Sequence, residues 1–218
     1  MVDMPRLMDM GLEKLTSMIL ETAEMAQRCV EAVVIAHNEG SRITPQIRAW
    51  SDELRLKYNN VEDLAVELLA RFQPVASDLR FIKSSMKIAY DISRLGRYAY
   101  DIALLLTMFK GIAQCNHELT NNMAKKSMDM IRKSTQAFKD RDVKLASSLV
   151  KDDDVIDDMF EHYLSTVLAR KSEETIECLV SNVLIMRYLE RIADHACYVA
   201  DSVIYMVTGK TGRALDWT

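Results

Sequence analysis

Residues that force turns are scarce in this chain: its 218 residues include only 6 glycines and 3 prolines. A fold of many short strands joined by tight turns needs more of both. Long apolar runs are also missing, since nowhere do 18 apolar residues follow one another. No transmembrane span is therefore expected. The stretch from Met1 to Glu13 carries four charged residues before any apolar run, which argues against a signal peptide and for a soluble, cytoplasmic protein. The four cysteines, Cys29, Cys115, Cys178 and Cys197, include no CxxC pair. That spacing predicts reduced, partly buried thiols rather than disulfides or zinc ligands.

A basic excess is absent too. The net charge is −4, and the longest run of like charge is acidic, Asp152 to Asp154. A direct nucleic-acid partner is not expected, because such proteins carry a basic patch that neutralises phosphates. Catalytic signatures are equally lacking: the chain has no GxSxG, HExxH or Walker loop. None of His37, His117, His162 or His195 has a glutamate three residues before it, so a ferritin-like di-iron site is excluded.

What is present is helical. Apolar residues make up 49% and charged residues 28%, an ordinary globular balance rich in good helix formers. Leu7, Met10, Leu15, Met18, Ala26, Val30, Val33 and Val34 repeat at helical spacing and predict a first helix over 4–38. Gly40 and Ser41 end it, and Thr44-Pro45 reads as an N-cap and first residue of a second helix running to Phe72. After Pro74, Ser77 is placed as the cap of a third helix from Asp78 to Phe109. Gly111 to Asn116 then connects to helices over 117–140 and 142–170 and a sixth, capped by Ser172, reaching Val207. On the fifth helix Ile156, Met159, Phe160, Tyr163, Leu164 and Val167 form the inner side, and Gly209 and Gly212 end the sixth. Most of the 14 methionines fall at core spacing.

The pattern repeats internally. Val61-Glu-Asp-Leu64 resembles Ile156-Asp-Asp-Met159 at a shift of 95, and Asp91 to Arg97 resembles Tyr188 to Asp194 at a shift of 97. The expected architecture is all-α: two tandem antiparallel three-helix bundles, six long helices in all, related by pseudo-twofold symmetry.

The most informative chemistry is acidic. Glu190, Asp194, Cys197 and Asp201 are spaced four, three and four apart, on one face at the edge of the apolar stripe. Asp154, Asp157, Asp158 and Glu161 form a similar face on the fifth helix. Like charges at this spacing repel, and two such faces brought together need a counter-charge. Arg187 and Arg191 can supply one, and a hard cation held by carboxylate oxygen can supply another. Both remain open at the level of the sequence. His195, beside Asp194, is a candidate outer-shell group.

Two segments resemble the PhoU-type phosphate-uptake regulators. Gln73-Pro-Val-Ala-Ser-Asp-Leu-Arg80 with Lys87-Ile-Ala-Tyr-Asp-Ile92 is similar to the linker and third helix of that family's first repeat. Arg187-Tyr-Leu-Glu-Arg-Ile-Ala-Asp-His-Ala196 is similar to the signature of its second. The resemblance implies a first repeat over 1–112, a second over 113–210 and a tail over 211–218. It implies a negative regulator of phosphate uptake and phosphate-responsive signalling: a homodimer linking a phosphate transporter to a sensor kinase or transcription regulator, and meeting the membrane only through that partner. It also implies metal ions such as Fe, Mn, Mg or Zn bound by carboxylates, with no organic cofactor. The implied ligands are Glu190 and Asp194 with Asp154, Asp157 and Asp158, and more weakly Asp91, Asp101 and Asp201. In the first repeat Ser93 and Arg97 stand where the family motif has acids, so an ion-paired face without metal is expected there. A metal-dependent hydrolase of phosphate compounds and a purely structural scaffold are the alternative readings.

Overall fold

The computed structural model describes residues 4–109, 111–169 and 174–210. Among these it contains six α-helices and no strand: α1 (Met4–Glu39), α2 (Thr44–Phe72), α3 (Ala76–Met108), α4 (Glu118–Asp140), α5 (Val143–Leu168) and α6 (Ile176–Thr208), with one 3-10 turn at Ile112–Gln114. The predicted positions of Ser172, Gly212 and the 211–218 tail lie outside the described residues.

Each half is a bundle because each helix carries a single apolar stripe. Along α1, Leu15, Ile19, Ala23, Ala26, Val30 and Val33 recur every three or four residues and are fully buried. Such side chains each stabilise the fold by roughly 1.5–3 kcal/mol relative to exposure. α1, α2 and α3 pack on one another, as do α4, α5 and α6, and α3 lies along α6 in the most extensive contact of all. Arg80 meets the Met206 carbonyl at one end of this seam, and Tyr98 meets Tyr188 further along, so the two helices run antiparallel. Among the described residues, no helix is long and apolar enough to cross a membrane.

Three local expectations need correction. The N-cap of α2 is Ile43, and the Thr44 hydroxyl instead donates to the Ala103 carbonyl at 2.8 Å, tying α2 to α3. The N-cap of α3 is Val75, with Ser77 inside the first turn and its hydroxyl on Asp78. Both hydroxyls found other acceptors, so neither helix has a side-chain cap. Residues not singled out from the sequence do cap α5 and α6: Asp142 accepts from the Lys144 and Leu145 amides, and Thr175 accepts from the Cys178 amide. Gly209 ends α6 at φ 73°, a left-handed conformation that costs glycine nothing.

The third correction concerns thiols. Cys115 and Cys178 form a disulfide between the inter-repeat connection and the first turn of α6. Cys29 and Cys197 remain free and buried. The bonded pair is separated by 63 residues in sequence, and spacing alone carries no signal for so distant a partner.

Candidate functional site

The acidic face of α6 forms as its spacing requires. Glu190, Asp194 and Asp201 are half-buried and Cys197 is buried, beside a stripe of Ile185, Met186, Leu189, Ala193, Ala196, Ala200 and Val203 that faces the core. The acids therefore stand at the margin where α5 packs on α6.

The matching face of α5 is displaced by one residue from the sequence expectation. Asp154, Asp157, Asp158 and Glu161 are all exposed, whereas Asp153 is half-buried. Burial, and then the charges of Asp194 and Asp157, push the Asp153 carboxyl up to about 7. Asp157, exposed along part of its side chain, is pushed up to about 6 by burial of the rest, then by Glu190, Asp194, Asp154 and Glu161. Burial foremost, with Asp153 next, raises the Cys197 thiol, so it acts as a small apolar group whose Sγ leans on the Leu149 carbonyl at 3.8 Å. Asp153 could have been found by its own spacing, four residues after the buried Leu149 and three before the buried Ile156. Asp201 acts on Cys197 and lines a cavity of about 160 Å³ with Leu149 and Val150.

Two arginines answer part of this charge. Arg187 grips both carboxylate oxygens of Glu190, and Arg191 meets Asp194 at 3.2 Å. Asp153 and Asp157 keep their raised affinity for protons despite these pairs, through burial first and the neighbouring acids second. An all-oxygen donor set of this kind suits a hard cation. Among the described residues, no three His, Cys, Asp or Glu side chains are already gathered around one point. The oxygens available for an ion there are those of Asp153, Asp157, Glu190 and Asp194, the last two now bonded to arginines.

The equivalent face of the first half is built differently. Arg97 is ion-paired with Asp101 at 3.0 Å, and the Ser93 hydroxyl donates to the Tyr90 carbonyl. Asp91 is buried on the opposite side, in the seam between halves, where its Oδ1 lies 2.9 Å from His195 Nδ1. The other nitrogen of His195 is 3.3 Å from the Tyr98 hydroxyl. His195 thus joins the two repeats and does not back the carboxylates of α5.

Comparison with known proteins agrees with this architecture. The PhoU domain family model matches the chain twice, over residues 15–106 and 120–203. The phosphate-specific transport system accessory protein PhoU homolog of Clostridium acetobutylicum is 30% identical over 215 residues, covering 94% of this chain and 96% of its own. PhoU homolog 1 of Methanothermobacter thermautotrophicus is 37% identical over 153 residues, 68% of this chain and 70% of its own. In fold, the crystal structure of PhoU from Pseudomonas aeruginosa superposes with a TM-score of 0.84 at 26% identity, covering 93% of this chain and 99% of that one. That of the phosphate transport system regulatory protein PhoU from Streptococcus pneumoniae reaches 0.86 at 24% identity, covering 94% and 99%. With both halves matched and the helical architecture shared, the chain belongs to the PhoU family.

Proposed function

We propose that this chain is a negative regulator of phosphate uptake and phosphate-responsive signalling. It works by binding rather than catalysis, as a homodimeric adaptor between a phosphate transporter and a sensor kinase or transcription regulator. The observation that carries the reading is the double family match, together with full-length relatives described as accessory proteins of the phosphate-specific transport system. In this reading the α5–α6 acids hold a hard cation through Asp153, Asp157, Glu190 and Asp194, with Asp154 at the rim. The raised carboxyls support it: burial raises them first and neighbouring acids second, and a cation would offset both by favouring the charged form. Bound there, the ion supplies positive charge that a partner's carboxylate or phosphate can meet.

Deleting the gene and following phosphate uptake tests the regulatory role. Uptake and phosphate-responsive transcription should rise in phosphate-rich medium, and unchanged values of both would overturn it. Elemental analysis of the purified chain tests the ion. The double change Glu190→Gln, Asp194→Asn should abolish bound metal, and retained stoichiometry would show that other residues are the ligands.

A further inference from the structure

The duplication places α2 and α3 where the second half has α5 and α6, yet the groove between them carries the opposite charge. Applying the two sequence shifts, Tyr58 and Asn59 occupy the places of Asp153 and Asp154, and Ser93 and Arg97 those of Glu190 and Asp194. Arg55 and Tyr58 on α2 face Tyr90, Ser93, Arg94 and Arg97 on α3 across a cavity of about 450 Å³. On α3 these residues fall at i, i+3, i+4 and i+7, one continuous helix face.

Among the residues that line the groove, three arginines meet one carboxylate. Arg97 is held by Asp101, and Asp52 also lines the cavity. Among the described residues, Arg55 and Arg94 enter no ion pair. Arg94 donates to the Tyr98 hydroxyl at 3.2 Å with its guanidinium over the Tyr98 ring, and the half-buried side chain lines the cavity. The hydroxyls of Ser93 and Tyr58 already donate, to the Tyr90 carbonyl and to Glu62. The charged donors in the groove are guanidinium N–H groups, whose planar fork matches the oxygens of a phosphoryl group, with the Ser51, Asn59 and Tyr90 side chains lining the same cavity. Tyr58 and Tyr90 meet edge to face at 5.8 Å beside them, an aromatic wall that an attached organic group can lie against.

We infer that the α2–α3 groove of the first repeat is a phosphate-binding site, taking free phosphate or the phosphoryl end of a small phosphorylated molecule on Arg55 and Arg94. Arg97 joins when it exchanges Asp101 for the ligand. Binding by the purified chain is measured without a transporter, so the site stands or falls independently of the regulatory role.

Isothermal titration of the full chain in magnesium-free buffer, with inorganic phosphate and with ADP as probes, is the test. One saturable site per chain is expected for at least one probe. Equal affinity for the two would mean that only the phosphoryl end is held, and tighter ADP that the tyrosine wall contributes. The double change Arg55→Gln, Arg94→Gln should weaken binding by at least about tenfold, as loss of charge-assisted hydrogen bonds does. The change Glu190→Gln, Asp194→Asn should leave it intact. Arg55→Gln alone, on an exposed side chain, keeps the test available should the double variant fold poorly, and it should weaken binding severalfold. Absence of saturable binding by either probe, or affinity unchanged in the arginine variants, would overturn the assignment.

Discussion

His37 shows most directly how a single side chain can make this fold sensitive to acid. It is buried near the end of α1, its ring 4.1 Å from that of His117, and neither of its nitrogens has a hydrogen-bond partner. Burial, with the neighbouring His117 second, pushes its pKa down to about 3 from 6.5. The unfolded chain therefore binds the proton more readily than the folded one. The stability this group contributes is complete above about pH 6.5 and is lost progressively as the pH falls toward 3. We expect roughly 3 kcal/mol of acid destabilisation from this group by about pH 4.5. His37→Leu should flatten that part of the profile in urea titrations, and an unchanged slope would assign the acid sensitivity elsewhere. Asp153 and Asp157 act with the opposite sign, since their folded values are raised and protonation on acidification favours the folded state.

For the helices, hydrophobic periodicity was a faithful guide and hydroxyl positions were not. From Leu15 onward the apolar stripe of α1 is where the periodicity demanded, because the free energy of burying a stripe outweighs local preferences, whereas Leu7 and Met10 in its first turns are exposed. Thr44 and Ser77 could cap in isolation, but a hydroxyl near another helix or an adjacent carboxylate has competing acceptors. The acidic faces of the candidate site were legible on α6, where one stripe was unambiguous. On α5 the expectation missed Asp153, because the most regular acidic set was also the most solvated one. The Cys115–Cys178 bond was invisible, as no local pattern encodes a contact between segments so far apart. This bond fastens the start of α6 to the connection, beside the Glu177 carboxylate that accepts from the Gly111 amide. Replacing both cysteines by serine should cost about 2–4 kcal/mol, lowering Tm by on the order of 10 °C. Calorimetry with and without reductant checks this, and equal melting of reduced and oxidised protein would contradict it.

In the whole molecule, the seam between α3 and α6 makes one body of two repeats. Its polar centre is Asp91 with His195, extended through Tyr98 to Arg94. A buried histidine that loses its acceptor is costly, whereas an amide in the same place still accepts. Asp91→Ala should therefore destabilise by about 2–3 kcal/mol and Asp91→Asn by less than half as much, read from urea midpoints. Equal effects would mean that the contact contributes little. The arginine groove adjoins this seam through Arg94, so a ligand held there and the contact between halves share a residue.

The disulfide also has a mechanical consequence. It closes residues 115 to 178 into a covalent ring that holds all of α4 and α5 and the first turn of α6. Under tension applied at the two ends, α1, α2, α3 and most of α6 can be drawn out, while the ring can unravel but not lengthen the chain. With the 63-residue separation at about 3.4 Å per residue, the stretched molecule stops short of its full contour by roughly 200 Å.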